Sequence, residues 1–416
     1  MSSIASALSA FVFLYPLYMA YLWMVGAVYY HWNYERHDGP VDQPPELDYP
    51  PLTVVIPCYN EADNVHDTVA HALALDYPVF EVIAVNDGSA DNTGALLDEL
   101  AGRHPRLRVI HQATNQGKAI ALNTALALAR FDHLLCIDGD AVLDPHAAKW
   151  LMRHFTLSPR VGAVTGNPRI RNRSTLLGRL QVGEFAAIIG LIKRAQRTYG
   201  RLFTVSGVIT AFRKSAVYQV GFWSDDILTE DIDISWKLQL QHWSVHFEPR
   251  ALVWILMPET LGGLWKQRLR WAQGGAQALL RHSWVLGHWK QRRMWPVFLE
   301  YSLSVAWSYL MVLLTAWTIA VGLRTSGHIG PALATLVPSG YGLLLGLTCL
   351  AQFAVAKALD SRYDHGLGKN YYWMVWYPAI YWVINVCTTV VAFPRALWGR
   401  KDQRARWVSP DRGVKA

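Results

Sequence analysis

Four long uncharged runs bound what this chain can fold into. Residues 11–32 lie near the amino terminus, and residues 301–323, roughly 336–356 and 371–393 lie near the carboxyl terminus. Each is long enough to cross a hydrocarbon layer of about 30 Å. No charged residue occurs from Met1 to Asn33, and the basic start of a cleaved signal peptide is missing, so the first run is read as a retained span. A hydrophobic share of 52% with 19 Trp in 416 residues exceeds what a soluble enzyme needs. The excess sits in these runs.

The net charge of +8 belongs to the same picture. Arg36, Arg292, Arg293, Lys357, Arg362 and Lys369 flank the apolar runs, as basic residues do on the cytoplasmic side of a membrane. Membrane lipids are the expected contact, with the central domain cytoplasmic. No nucleic-acid module is present, so nucleic acid is not expected as a partner. Cys58, Cys136, Cys349 and Cys387 form no CxxC and no His-paired spacing, which argues for buried packing rather than a disulfide framework or zinc.

Between the first and second runs the rhythm changes. Residues 35–51 are polar and proline-rich, as an extended linker is. Short apolar runs at 52–57, 80–86, 107–111 and 133–137 then alternate with helical patterns at 64–74, 92–101 and 117–129. That alternation predicts βαβ units and a parallel sheet covered on both faces. Further strands are expected at 161–165 and 203–207, and a long helix carrying Glu184 at 176–197.

In such sheets ligands bind beyond the carboxyl ends of the strands. Polar clusters stand at those ends: Tyr59-Asn60-Glu61, Asn86-Asp87-Gly88-Ser89, Asn115-Gln116-Gly117-Lys118 and Asp138-Gly139-Asp140. Each has a plain structural reading as a turn, a helix cap at Asn60 or Asn64, or surface charge. Four together predict a nucleotide crevice. Neither GxGxxG nor a Walker pattern is present, which weakens dehydrogenase and P-loop readings.

The run from Leu134 to Asp144 delivers Asp138 and Asp140 to that crevice. In extended backbone alternate side chains share a face, so both carboxylates are expected to meet one ligand, with Mg²⁺ or Mn²⁺ as the oxygen-seeking choice. Thr229-Glu230-Asp231 opens a further helix, with Thr229 in position to cap it. Residues 261–280 mix Trp and Leu with basic side chains, a pattern that suits a helix at a membrane surface.

Asp87 in NDGS, Asp138-Gly139-Asp140, Thr229-Glu230-Asp231 and Gln267-Arg268-Leu269-Arg270-Trp271 as QxxRW occur in one order and precede membrane runs. This set resembles the processive family 2 glycosyltransferases, the membrane synthases of cellulose, chitin and hyaluronan. Further segments, NQGKAIAL, AVTGNPRIR, TEDIDISWKLQL and PETLGGLWKQRLRWAQGGA, are similar to the branch that makes β-1,6-linked poly-N-acetylglucosamine. One amino-terminal run stands where that branch typically has two.

The resemblance implies a GT-A-like α/β domain, mostly parallel in its sheet, inserted between transmembrane helices. It implies UDP-N-acetylglucosamine as donor and the growing poly-N-acetylglucosamine chain as acceptor. By motif position, Asp231 is the general base and Glu230 orients base or acceptor; Asp140 holds Mg²⁺ or Mn²⁺, with Asp138 near metal or ribose. Tyr59 stacks on uracil, Asp87 accepts its imide hydrogen, and Glu61 and Lys118 complete the nucleoside end. Gln267 and Arg270 contact the donor, and Trp271 faces the acceptor sugar. A small PgaD-like membrane subunit as partner and cyclic di-GMP as activator at the subunit interface are implied by the resemblance alone.

The expected divisions are a span (1–33), linker (34–51), transferase domain (52–258), interface helices (259–293), membrane helices (294–393) and basic tail (394–416). One span before the domain and three after it would carry the tail outward. Yet Arg395, Arg400, Lys401, Arg404, Arg406, Arg412 and Lys415 favour the cytoplasm. Either one run, for example the Pro378-containing last one, is re-entrant or interfacial, or the tail breaks the charge bias; the expectation is a cytoplasmic tail. Rival readings are another family 2 polymer synthase, a non-processive lipid-linked sugar transferase, and a transporter with an inactive transferase domain.

Overall fold

The computed structural model describes residues 3–326, 340–399 and 404–405. Among them eight strands form one sheet in the order β3-β2-β1-β4-β7-β6-β8-β5. They are β1 Leu52–Cys58, β2 Phe80–Asp87, β3 Leu107–Gln112, β4 His133–Ile137, β5 Val142–Leu143, β6 Val161–Ile170, β7 Ile209–Arg213 and β8 Ser244–Ile255. The expected βαβ half is present: β3, β2, β1 and β4 pair in parallel. β7 then runs antiparallel between β4 and β6, and β5 antiparallel to β8.

Burial explains why the first strands read as unbroken apolar runs. Every residue of β1 and β2 is buried. Val54, Ile56, Val82 and Ala84 join one core with Val69 and Leu97, from the helices Val65–Leu73 and Thr93–Arg103. Val55, Ile83 and Val85 face the other way, onto Ala121, Leu122 and Ala125 of the helix Lys118–Leu128. A strand covered on both faces has no polar side to display.

The strand expected at 203–207 is not there; the strand is β7, at Ile209–Arg213. Side chains take the place of a ladder partner in the earlier segment. Phe203 N–H donates to Gln196 Oε1 at 3.0 Å, Val205 N–H to Ser235 Oγ at 2.8 Å, and Ser206 N–H to Thr165 Oγ1 at 2.7 Å. With those backbone groups satisfied locally, the segment needs no sheet.

The long helix expected at 176–197 is built in three parts: Leu176–Phe185, a π-helical stretch Ala186–Ile192, and Lys193–Tyr199. Thr175 caps it by accepting Gly178 N–H at 3.1 Å, and Gly200 ends it at φ 114°. It packs against the amino-terminal helix, where Thr198 and Tyr199 donate to the Gly26 and Leu22 carbonyls, both at 3.0 Å.

Among the described residues three helices are long and apolar enough to cross a membrane: Ser6–Glu35, Trp289–Thr325 and Tyr341–Asp360. The start of the expected 336–356 run lies outside the described residues. The last run is broken, with Leu367–Trp376 and Tyr381–Trp398 meeting at 68°. Beyond it, Ala405 N–H donates to the Asp225 carbonyl at 2.8 Å, and Arg404 approaches the Asp225 carboxylate at 3.5 Å and Gln116 at 3.4 Å. The chain thus returns to the α/β domain after the bend. Arg400, Lys401, Arg406, Arg412 and Lys415 lie outside the described residues.

A buried charge cluster joins the two regions. Arg194 grips Glu35 with Nε and Nη2 at 2.7 and 2.9 Å and reaches Asp360 with Nη1 at 2.7 Å. Arg169 approaches Asp360 at 3.0 Å, and the Tyr363 hydroxyl donates to Glu35. One arginine therefore ties the ends of two apolar helices to the helix that borders the crevice.

Candidate active site

The loops after β1 and β2 are sewn together first. Asn60, at φ 54°, accepts Ala90 N–H at 2.9 Å, and its own N–H donates to Ser89 Oγ at 3.0 Å. Glu61 N–H donates to Thr93 Oγ1 at 2.7 Å. Tyr59, just before Asn60, is half-buried. Asn64 holds the N-cap position without a side-chain cap bond.

Asp87 is fully buried at the end of β2, and its two oxygens accept Gln116 and Gly117 N–H, both at 2.8 Å. Burial raises its carboxyl above the usual range, and the two N–H donors pull it back. It shapes the loop that delivers Lys118, and each oxygen keeps a second lone pair for a ligand.

Asp138 and Asp140 occupy a turn after β4, closed by Ala141 N–H to the Asp138 carbonyl at 3.1 Å. This corrects the extended-backbone reading, in which both would share one strand face. The turn is tight because Gly139 lies against its neighbours. A Cβ there would stand 2.9 Å from Glu61 Cγ and 3.1 Å from the Pro57 carbonyl. Asp140 is buried, and burial followed by the Asp138 charge pushes its carboxyl up to about 7. A buried carboxylate whose proton affinity is raised by a neighbouring carboxylate is a natural seat for a divalent cation. Among the described residues no group of three or more His, Cys, Asp or Glu side chains could hold a metal. The protein offers this pair, and substrate phosphates are the usual companions of such an ion.

Lys118, expected at the nucleoside end, has its ammonium at the centre of the acids. Nζ lies 2.5 Å from Asp138 Oδ1, 3.1 Å from the Gly207 carbonyl and 3.2 Å from Glu230 Oε1. Although burial opposes its charge, Asp138 and Glu230 hold it protonated well above the usual range.

Glu230 and Asp231 open the helix Glu230–Leu240. Burial, then the Glu230 charge, pushes Asp231 up to about 6, while Lys118 and Arg270 oppose the rise. Gly207 faces this acid: a Cβ there would sit 3.3 Å from Asp231 Oδ2 and 3.2 Å from Lys118 Nζ. Thr229 precedes the helix, but its hydroxyl makes no cap bond, which corrects the capping expectation. A Cβ on Gly274 would overlap that buried hydroxyl, so the helix Leu261–Arg281 packs directly on the start of the acid-bearing helix.

The QxxRW side chains lie along that second helix. Gln267 is half-buried, with its carboxamide oxygen lacking a partner among the described residues. Arg270 is exposed and reaches the Leu228 carbonyl at 3.4 Å. Trp271 packs toward Phe185, ring centroids 6.5 Å apart, with the Arg268 guanidinium 4.4 Å from its centroid. Arg268 is itself buried against Glu184 at 2.5 Å.

Sequence reasoning left several residues around the site without a role. Asp233 accepts Ser224 Oγ at 2.7 Å and pairs with His282 Nε2 at 3.0 Å, tying one helix to the far end of the other. Lys193 is buried beside the site and donates to Ser206 Oγ at 2.6 Å; burial lowers its ammonium to about 7 against the pull of Asp231. Spacing carries no signal for either, since both depend on packing between distant helices.

The parallel half-sheet, the acid pair after β4 and the helix-borne acids facing it define a GT-A-like nucleotide-sugar transferase. A family model described as glycosyltransferase like family 2 matches residues 50–274. Poly-β-1,6-N-acetyl-D-glucosamine synthase of Staphylococcus epidermidis is 39% identical over 406 residues, covering 97% of this chain and 98% of that protein. The enzyme of the same name from Staphylococcus aureus strain MSSA476 is 40% identical with the same coverage. A mannosyltransferase from Pyrobaculum calidifontis, solved with GDP-Man and Mn²⁺, superposes with TM-score 0.65 at 22% identity, covering 95% of this chain and 98% of its own. That last likeness establishes the fold. The chain belongs to glycosyltransferase family 2 and is a glycosyltransferase.

Proposed function

We propose that this protein is an inverting, processive synthase that polymerises N-acetylglucosamine from UDP-N-acetylglucosamine through β-1,6 linkages. The observation that carries the reading is Lys118, whose ammonium joins the Asp138 turn to the Glu230-Asp231 helix and so brings two motifs to one centre. The identity of the Staphylococcus relatives supports the choice of sugar and linkage.

Asp231 takes the proton from the acceptor 6-hydroxyl as that oxygen attacks the anomeric carbon. UDP leaves from the opposite face, so an α-linked donor gives a β-linked product without a glycosyl-enzyme intermediate. Asp140, with Asp138, would hold Mg²⁺ or Mn²⁺, which neutralises charge on the departing diphosphate. Arg270 adds a forked cation to the same phosphates, and Gln267 donates to the donor. Tyr59, Asp87 and Glu61 line the nucleoside end. Trp271 offers the acceptor sugar an apolar face, its ring braced by Arg268 and Glu184.

The apolar helices fit spans of the bacterial inner membrane, with the transferase domain cytoplasmic and the polymer leaving through a protein-lined path. A chain of hydroxyls would find no partners in bare hydrocarbon. Three or four spans make a narrow passage, which favours a small membrane partner subunit. Activation by cyclic di-GMP at that interface rests on the family resemblance alone.

The test is reconstituted protein with UDP-N-acetylglucosamine and Mg²⁺ or Mn²⁺, scored for UDP release and product linkage. A long β-1,6 polymer is expected, with transfer abolished and UDP binding kept in Asp231→Asn. Single-sugar lipid products would overturn processivity, and another linkage would overturn the product.

A further inference from the structure

Three arginines gather at the foot of the membrane helices, and among the described residues none of them is paired with a carboxylate. Arg197 and Arg201 stand on either side of Gly200, at the end of the helix Lys193–Tyr199. Arg293 arrives from the helical turn Trp289–Met294, just before the helix Trp295–Ser326. Their segments meet at the end of the helix Glu230–Leu240, where Gln291 Nε2 donates to the Leu240 carbonyl at 3.2 Å and Leu202 N–H to Gln239 Oε1 at 3.0 Å; burial, then the Arg293 and Arg197 charges, lower the Arg201 guanidinium below its usual range. Among the described residues the buried Nε atoms of both Arg197 and Arg201 have no hydrogen-bond partner, and Arg197 Nη1 donates to the Val245 carbonyl at 3.2 Å. Arg194, one turn earlier on the same helix, is gripped by two acids. Arg197, Arg201 and Arg293 have no such ion pair among the described residues.

The depth of the cluster follows from two contacts. Tyr15 Oη donates to the Glu300 carbonyl at 3.0 Å, which places those residues at one level on two neighbouring helices. Seven residues toward the transferase domain, about 10 Å along each helix, lie Leu22 and Arg293. Tyr199 Oη donates to the Leu22 carbonyl, so the end of the arginine-bearing helix stands at that level too. Exposed aromatic rings mark the same zone: Trp289 is 68% and Tyr199 47% exposed, and Arg292 lies 5.2 Å from the Trp289 centroid. Aromatic rings and arginines together are the side chains of a membrane-water boundary.

We infer that Arg197, Arg201 and Arg293 form a binding site for the phosphate of an acidic phospholipid at the membrane surface. Guanidinium forks match phosphate oxygens in pairs, and a phosphate would offset the repulsion that Arg293 and Arg197 exert on Arg201. A free phosphate has the same chemistry. The boundary depth and the exposed rings favour the lipid, whose acyl chains would lie along the apolar helices. The inference uses the reading of those helices as membrane spans and is independent of the sugar transferred.

The test is the full chain in phosphatidylcholine bilayers containing spin-labelled phosphatidylglycerol or spin-labelled phosphatidylcholine, with the motionally restricted fraction measured for each. Wild type is expected to prefer phosphatidylglycerol, and Arg201→Gln/Arg293→Gln to lower that preference about fivefold or more, while Arg201→Lys/Arg293→Lys keeps most of it. UDP binding, read in parallel, confirms that each variant is folded. Equal preference in wild type and the Gln pair overturns the inference, as does the absence of any preference in wild type. Displacement of the labelled lipid by millimolar inorganic phosphate would assign the site to free phosphate and also overturn it. Retention in membranes after carbonate washing tests the spans separately.

Discussion

Lys118 Nζ lies 2.5 Å from Asp138 Oδ1, and the same ammonium reaches Glu230 Oε1 at 3.2 Å. One cation therefore holds the turn after β4 against the start of the helix Glu230–Leu240. Replacing it with Met leaves two half-buried acids without the cation between them. Lys118→Met should lower UDP release on the order of 100-fold, measured at saturating donor. Wild-type turnover would remove Lys118 from the site.

The pH dependence follows from Asp231. A base must be ionised to accept a proton, and burial with the Glu230 charge places this carboxyl at about 6. Activity should fall as pH drops through that value, and a pH profile of kcat checks it. Asp231→Glu should keep an acidic limb, whereas Asp231→Asn should have no activity to titrate.

Asp140 carries a cost in the metal-free protein. Its folded carboxyl, at about 7, binds a proton more tightly than the unfolded group near 3.9. The sign is then fixed: stability is lost as pH rises from the unfolded value through 7, and the penalty is complete above 7. Asp140→Asn should melt higher than wild type at pH 8 without metal and match it near pH 4. The same variant should lose the gain in UDP affinity that Mg²⁺ or Mn²⁺ provides, read by calorimetry.

Gly274 sets how closely the QxxRW helix approaches Thr229. A methyl group there would overlap the Thr229 hydroxyl and push the two helices apart. Gly274→Ala should reduce turnover on the order of 10- to 100-fold with little change in UDP affinity. Unchanged turnover would show that the approach is not needed.

Arg194 is the tie between the membrane helices and the transferase domain. Removing it leaves Glu35 without its bidentate partner and Asp360 with Arg169 as its remaining ion pair among the described residues. Arg194→Met should destabilise the protein by about 3–5 kcal/mol, measured by thermal melting in detergent or bilayer. Adding Glu35→Gln should recover part of the loss, since one orphaned charge goes with it.

Sequence patterning located β1 to β4 to within a residue because each is a local apolar run bounded by turn residues. It misplaced the strand near 203–207 because Gln196, Ser235 and Thr165 satisfy that backbone from outside the segment. The acids were legible as Asp138, Asp140, Glu230 and Asp231, but the lysine that joins them was read as a nucleoside contact. Nothing near Lys118 in the chain announces Glu230.

The chain by itself determined its apolar helices, the βα alternation and the identity of the acidic motifs, because hydrophobic periodicity and short motifs are properties of neighbouring residues. Tertiary structure decided which charges meet. It brought Arg194 to Glu35 across 159 positions, set the Arg293 and Arg197 charges against Arg201 with no paired acid among the described residues, and buried Asp140 beside Asp138. Those outcomes depend on desolvation and distance, which exist only once helices and sheet have packed.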